Sequence, residues 1–179
     1  MKNKPQQFME SVLKSNYWKK GEMTEMKFDA IIGNPPYMEM DGGAQASAKP
    51  IYQHFVSTAK RLKPNYLSFI IPTRWYAGGK GLDEFRDEML NDKHIEILYD
   101  CITPEDIFPN TNIRGGVCYF LWNATYDNTV DKVDVVTLER GKKAVSIKRD
   151  LKVNDLDIFI RYSHALSIIE KVENNKVGN

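Results

Sequence analysis

The stretch Lys27-Phe28-Asp29-Ala30-Ile31-Ile32-Gly33-Asn34-Pro35-Pro36-Tyr37 decides how this chain is read. Phe28, Ala30, Ile31 and Ile32 make an apolar run of the kind that parallel sheets bury on both faces. Pro35 and Pro36 end the run, because proline has no N–H for the ladder and pushes the residue before it towards extended backbone. Asn34–Tyr37 is therefore expected at the C-terminal end of a strand Lys27–Gly33. In open α/β sheets that end is where substrates bind.

Outward from it, the stretch Met38–Pro50 holds Gly42-Gly43 and small residues and reads as a loop. Ile51, Phe55, Ala59 and Leu62 then recur at helical spacing. Tyr66–Pro72 is nearly all apolar, which predicts a second buried strand. Thr73-Arg74-Trp75-Tyr76 and Gly78-Gly79-Lys80-Gly81 leave its end, and Leu82, Phe85, Met89 and Leu90 mark another helix. Ile95–Tyr99 and Val117–Trp122 read as strands joined by Thr103–Arg114. The order β-α-β-α-β-β predicts an α/β fold, a parallel sheet with an antiparallel finish and flanking helices. Upstream, Phe8, Val12 and Leu13 predict a short helix ending near Tyr17, followed by a polar connector, Lys19–Met26. After Asn123, Lys132–Leu138 and Ala144–Lys148 alternate as a hairpin or exposed-sheet strands would. Asp157–Tyr162 and a helix from Ser163, with Ala165, Ile168, Ile169 and Val172 on one face, close the chain.

A length of 179 residues suits one domain with part of a second. A net charge of +1 excludes a global pull towards nucleic acid, so such binding needs a local patch. Cys101 and Cys118 make no metal pattern and read as free thiols in a reducing compartment. His54, His94 and His164 do not cluster at ligand spacing, so no metal site is expected. The polar N-terminus and the lack of a long apolar run predict a cytoplasmic chain with no membrane partner. Gly78–Gly81 is not a phosphate-binding P-loop. Asp83, Glu84, Asp87 and Glu88 read as a solvated helix face.

The Asn34 corner suggests chemistry on a planar NH2 group. Delocalisation makes such a nitrogen a poor nucleophile. A side-chain amide oxygen and a backbone carbonyl can each accept one of its N–H groups, which favours lone-pair density as positive charge develops. Tyr37 can stack on a flat substrate, a contact worth roughly 1–3 kcal/mol for a base. The competing reading is that Pro35-Pro36 merely ends a strand.

Gly33-Asn34-Pro35-Pro36-Tyr37, in this context of strand, loop and helix, resembles the catalytic motif of adenine-specific (amino-) DNA methyltransferases of restriction–modification systems, above all type II enzymes. The tetrapeptide is also found in methyltransferases of RNA guanine and of protein glutamine. Lys49-Pro50-Ile51-Tyr52, Phe69–Trp75, Ile95–Asp100 and Gly115–Trp122 resemble the elements that follow the motif. The resemblance, over 27–124, implies the catalytic half of a Rossmann-like domain with strands in the order 4-5-7-6, the seventh antiparallel, and 125–179 as the start of a target-recognition region. It implies that Asn34, Pro35, Pro36 and Tyr37 hold a flipped adenine and that Asn34 and Pro36 lie near the methyl group of S-adenosylmethionine. An aromatic near the end of the seventh strand would face the base, with Trp122 preferred over Tyr119 and Phe120; the alternative places all three in the core. Lys49, Arg74 and Lys80 are candidates for DNA phosphates, with Arg74 stacked on Trp75 as the other option.

Before Asn34 the chain has no G-x-G turn and too few residues for three strands. The expectation is a fragment without the cofactor half, binding S-adenosylmethionine weakly or not at all and inactive alone. A non-catalytic DNA-binding or partner-docking remnant is the alternative. Lys27–Gly33 would then be an exposed sheet edge, which predicts self-association.

Overall fold

Continuous or alternating apolar runs become strands wherever neighbours can pair with them, and here they assemble one mixed sheet. The computed structural model describes residues 27–39, 48–111 and 113–176. The expected helix Phe8–Tyr17, the connector Lys19–Met26 and residues 40–47 of the expected loop lie outside them.

Six strands, β1 (Ala30–Gly33), β4 (Tyr66–Pro72), β5 (Ile95–Cys101), β6 (Val117–Asn123), β7 (Val133–Leu138) and β8 (Val145–Arg149), pair in the order β1-β4-β6-β5-β7-β8. β1 runs parallel to β4, and β6 is antiparallel to both β4 and β5. The expected order 4-5-7-6 with an antiparallel strand is thus present as β1-β4-β6-β5. Two short strands, β2 (Met38–Glu39) and β3 (Lys49–Pro50), form a separate antiparallel ladder.

The sheet continues past the expected boundary at residue 124. β7 adds parallel to β5, and β8 closes antiparallel to β7. The alternating pattern of Lys132–Leu138 and Ala144–Lys148 therefore belongs to the same sheet as the motif. Leu151 and Phe159 enter the same core.

One face of the sheet carries that core. Leu67, Phe69 and Ile71 of β4, Cys118, Phe120 and Trp122 of β6, and Leu98 of β5 are buried there. Helix α1 (Tyr52–Arg61) sets Tyr52, Val56 and Ala59 against it, and α2 (Asp83–Leu90) sets Phe85, Met89 and Leu90. Each such large side chain contributes roughly 1.5–3 kcal/mol by burial. Lys60 ties the helices together, pairing with Glu88 at 2.9 Å and Asp92 at 2.6 Å. Two further helices, α3 (Asn128–Asp131) and α4 (Leu166–Lys176), follow.

The opposite face corrects the sequence reading. Tyr66 is 47% exposed, and Ser68 and Ile70 are half-buried, so β4 alternates and is not buried on both faces. The first strand is shorter than Lys27–Gly33, and its Ile32 is 80% exposed. β1 has a partner on one side alone, and its outward face packs on no helix among the described residues.

Candidate active site

Asn34 follows β1 at the end reached also by the C-termini of β4, β5 and β7, because these strands share one direction. Prolines 35 and 36 stop the ladder there. Asn34 and Pro36 are exposed, Pro35 is buried, and Tyr37 is half-buried. Among the described residues the Asn34 side chain makes no hydrogen bond, so its amide is free to meet a ligand.

The corner is braced on both sides. Ile51 N–H donates to Tyr37 O at 3.1 Å, and the β2–β3 ladder continues from there. The Tyr37 hydroxyl is buried without a partner among the described residues, and burial pushes its pKa up to about 12. Tyr37 therefore points its hydroxyl end inward, and the residue as a whole is half-buried. Tyr52 on α1 also has a buried hydroxyl, and burial raises its pKa, partly offset by the Trp75 backbone N–H. Behind them Cys118 is 0% exposed, and burial pushes its thiol up to about 12. Cys101, also free and buried, is pushed up to about 11.

Gly33 seats the corner. A Cβ there would stand 3.1 Å from Phe69 Cε1, tighter than ordinary contact. Gly33→Ala is expected to cost about 1 kcal/mol by displacing the buried Phe69 ring. A urea denaturation curve checks it, and an unchanged midpoint would show that Phe69 gives way freely.

Trp122 is not at this site. β6 runs antiparallel, so its C-terminal end lies at the far end of the sheet. Trp122 pairs with Leu67, level with Ile31, about 10 Å of strand below the corner. It is 9% exposed, packs edge-on against His94, and donates to the Asp92 carboxylate at 3.1 Å. Phe120 is core, and Tyr119 stacks on Tyr99 across the other face at 4.4 Å. Phe108, half-buried, lies in the connection from β5 to β6 at the same end of the sheet as Asn34, where Trp75 and Tyr76 after β4 are buried. The antiparallel direction already expected for that strand was the signal that points there.

Lys49, Arg74 and Lys80 are all exposed. Lys49 faces Glu39 across the small ladder. Arg74 lies in the 3-10 turn Thr73–Tyr76 directly after β4. The stacking of Arg74 on Trp75 is absent: Trp75 is 0% exposed, with its N–H on Cys118 Sγ at 3.4 Å. Lys80 sits at φ +51 in the glycine turn. That turn is closed by the chain at Gly78, where a Cβ would overlap Arg86 Nη1 at 1.5 Å, and Gly79 N–H donates to Asp83 Oδ1 at 3.2 Å; a Cβ at Gly79 or Gly81 would meet nothing within 4 Å. The Gly79 N–H and Arg86 hold the Asp83 carboxyl below its usual range.

A buried polar clamp, unread in the sequence, supports this end. Arg161 donates from Nε to Asp100 Oδ2 and from Nη2 to Asp100 Oδ1, both at 2.7 Å. Its Nη2 also reaches Thr73 Oγ1 at 3.1 Å. Phe159 N–H donates to Tyr76 O at 2.8 Å, so the segment after β8 straps the turn that carries Arg74. Among the described residues there is no group of three or more His, Cys, Asp or Glu placed to hold a metal ion, and no helix long and apolar enough to cross a membrane.

The sequence model of the Eco57I restriction-modification methylase family matches residues 1–108. A curated Mycoplasma pneumoniae protein (strain ATCC 29342 / M129 / Subtype 1), named an uncharacterized adenine-specific methylase, is 36% identical over 137 residues, covering 74% of this chain and 32% of that protein. The chain thus spans about a third of the length of that relative. Among solved structures, the type I restriction-modification methyltransferase subunit from Streptococcus thermophilus is 14% identical, with a TM-score of 0.43 over 92% of this chain and 35% of that one. The type I restriction enzyme EcoKI M protein is 18% identical, with a TM-score of 0.43 over 62% and 25%.

Proposed function

The chain belongs to the Eco57I restriction-modification methylase family, and from that membership we propose that it forms the base-binding half of an adenine-specific DNA methyltransferase. One observation carries the reading: Asn34, exposed and without a hydrogen-bond partner among the described residues, stands on a proline-stiffened corner at the C-terminal end of a parallel strand.

The target adenine leaves the duplex stack, which costs a few kcal/mol. Asn34 Oδ1 and the Pro35 carbonyl accept its two amino N–H groups. These acceptors favour the nitrogen lone pair and stabilise the positive charge that develops on it. Tyr37 lies against the base, with Phe108 at the same end of the sheet. Arg74, with Lys49 and Lys80 around the corner, meets backbone phosphate.

S-adenosylmethionine supplies an electrophilic methyl group when bound. The residues present fit it at one point, the free Asn34 amide beside the exposed Pro36. The glycine turn at 78–81 is a poor cradle, because the Gly79 N–H is already bonded to Asp83 and Arg86 occupies the space at Gly78. Calorimetry on this chain is therefore expected to show no binding of the cofactor, and micromolar affinity would overturn that. On this reading the chain works in the cytoplasm, where DNA and the cofactor meet.

The test of function fuses the chain behind the upstream portion of a family member and follows labelled methyl. Label on adenine of duplex DNA supports the reading. Label on RNA or on protein glutamine moves the substrate, and no label anywhere favours the non-catalytic binding module.

The edge at β1 carries a second expectation. Its outer backbone groups and the 80% exposed Ile32 are a template for pairing. Self-association is expected in sedimentation at tens of micromolar, and Ile32→Lys should abolish it. A monomeric wild-type chain would sink the idea.

A further inference from the structure

Arg74 and Arg114 are far apart in sequence, yet each is next in the chain to backbone that the fold bonds together. Thr73 N–H donates to Gly116 O at 3.1 Å, and Thr73 Oγ1 donates to Gly115 O at 2.7 Å. The residue after Thr73 and the residue before Gly115 thus flank one backbone junction. They do so at the end of the sheet where Asn34 leaves β1, since Pro72 of β4 pairs with Val117 of β6.

The approach is locked by backbone geometry. Gly115 and Gly116 hold φ of +91° and +104°, and a Cβ at Gly116 would stand 2.5 Å from Cys101 O. Arg161 ties Thr73 to the buried Asp100 from beneath. The two arginines thus rise from a rigid base.

Their side chains contrast with most other arginines of the fold. Arg86 pairs with Asp83, Arg140 with Asp106 and Arg161 with Asp100, while Arg149 donates to Ile160 O. Arg74 and Arg114 are exposed, and among the described residues neither has a hydrogen bond, ion pair or ring contact. Two guanidinium forks left without carboxylates suit a tetrahedral anion, which each can grip through two N–H donors. In a chain of net charge +1, such a local pair is the form that attraction to a polyanion must take.

The geometry points to Arg74 and Arg114 as one joint site for a backbone phosphodiester of nucleic acid, beside the Asn34 corner. Resting on the DNA reading above for the source of the phosphate, the site positions the strand whose base the corner receives.

Fluorescence anisotropy with a labelled mixed-sequence duplex, run as a salt series, tests it. Arg74→Ala and Arg114→Ala are each expected to weaken binding roughly tenfold at low salt and to lower the log–log salt slope by about 0.9. The double variant should lose about twice that slope, and Arg114→Lys should keep the slope with weaker binding. Arg61→Ala, exposed at the C-terminal end of α1, is the control and should change neither. All these side chains are exposed, so the variants fold, which thermal melts verify. Duplex binding with an unchanged slope in the double variant overturns the joint site and leaves the DNA reading intact. If the chain ignores the duplex but binds inorganic tripolyphosphate through both arginines, the site stands and the DNA reading falls. Binding of neither probe by the wild-type chain overturns the site.

Discussion

Replacing Arg161 with alanine is expected to destabilise the chain by about 3–5 kcal/mol, because it strands a buried carboxylate. Asp100 is 0% exposed, and the Arg161 side chain is 21% exposed. Tyr76 OH donates to the same carboxylate at 3.3 Å, and the Arg161 guanidinium lies over the Tyr76 ring at 5.3 Å. Burial holds Asp100 above its ordinary pKa, with Arg161 offsetting part of the cost. Arg161 in turn stays above its own ordinary value, because the Asp100 carboxylate outweighs its burial.

The sign of the pH dependence follows. A carboxyl whose folded pKa is raised contributes fully below its unfolded value, near 3.9, and loses that contribution as pH rises through the folded pKa. Without Arg161 the folded pKa climbs further, so the loss extends to higher pH. Urea denaturation should therefore show a larger deficit for Arg161→Ala near pH 8 than near pH 5. Asp100→Asn on that background removes the stranded charge and should recover part of the loss at the higher pH. A deficit under about 1 kcal/mol, the level of an exposed ion pair, or one independent of pH, would show that water reaches Asp100.

Asn34→Ala is expected to lower kcat of the fused methyltransferase by about 10²–10³, the cost of removing one preorganised polar group at a developing charge. KM for DNA should move little, since the acceptor acts mainly in the transition state. Stability should stay within about 0.5 kcal/mol, because the side chain is exposed and bonds nothing in the described fold. Asn34→Asp keeps an acceptor oxygen and should recover part of the rate. A loss confined to KM would make Asn34 a general binding residue, and an unchanged rate would remove it from the chemistry.

The Asn34 corner was legible because its causes are local. A run of apolar residues, a glycine and two prolines dictate a strand, its stop and a stiff turn, whatever lies around them. Strand Tyr66–Pro72 and the existence of the helix after Pro50 were legible for the same reason, but the face read from Ile51, Phe55, Ala59 and Leu62 gives way in the fold to Tyr52, Val56 and Ala59. The order β1-β4-β6-β5 was reached through resemblance to a family, since no periodicity names a strand's neighbour.

Tertiary structure decided the rest. Hydrophobic pattern has no direction along the sheet, and the expected antiparallel course of that strand was not carried through to Trp122, which lies near the far end of β6, on Asp92 and His94. Alternation at Lys132–Leu138 and Ala144–Lys148 announced strands, and only hydrogen bonds from Tyr99 and its neighbours to β7 made them part of the same sheet. Arg74 and Arg114 came to flank one backbone junction through Thr73, Gly115 and Gly116, and Arg161 reached Asp100 from beyond β8. What the sequence determined by itself is the Asn34 corner, written in adjacent residues. What surrounds that corner depends on contacts between residues distant in the chain, which form only when the sheet closes and the strand directions are set.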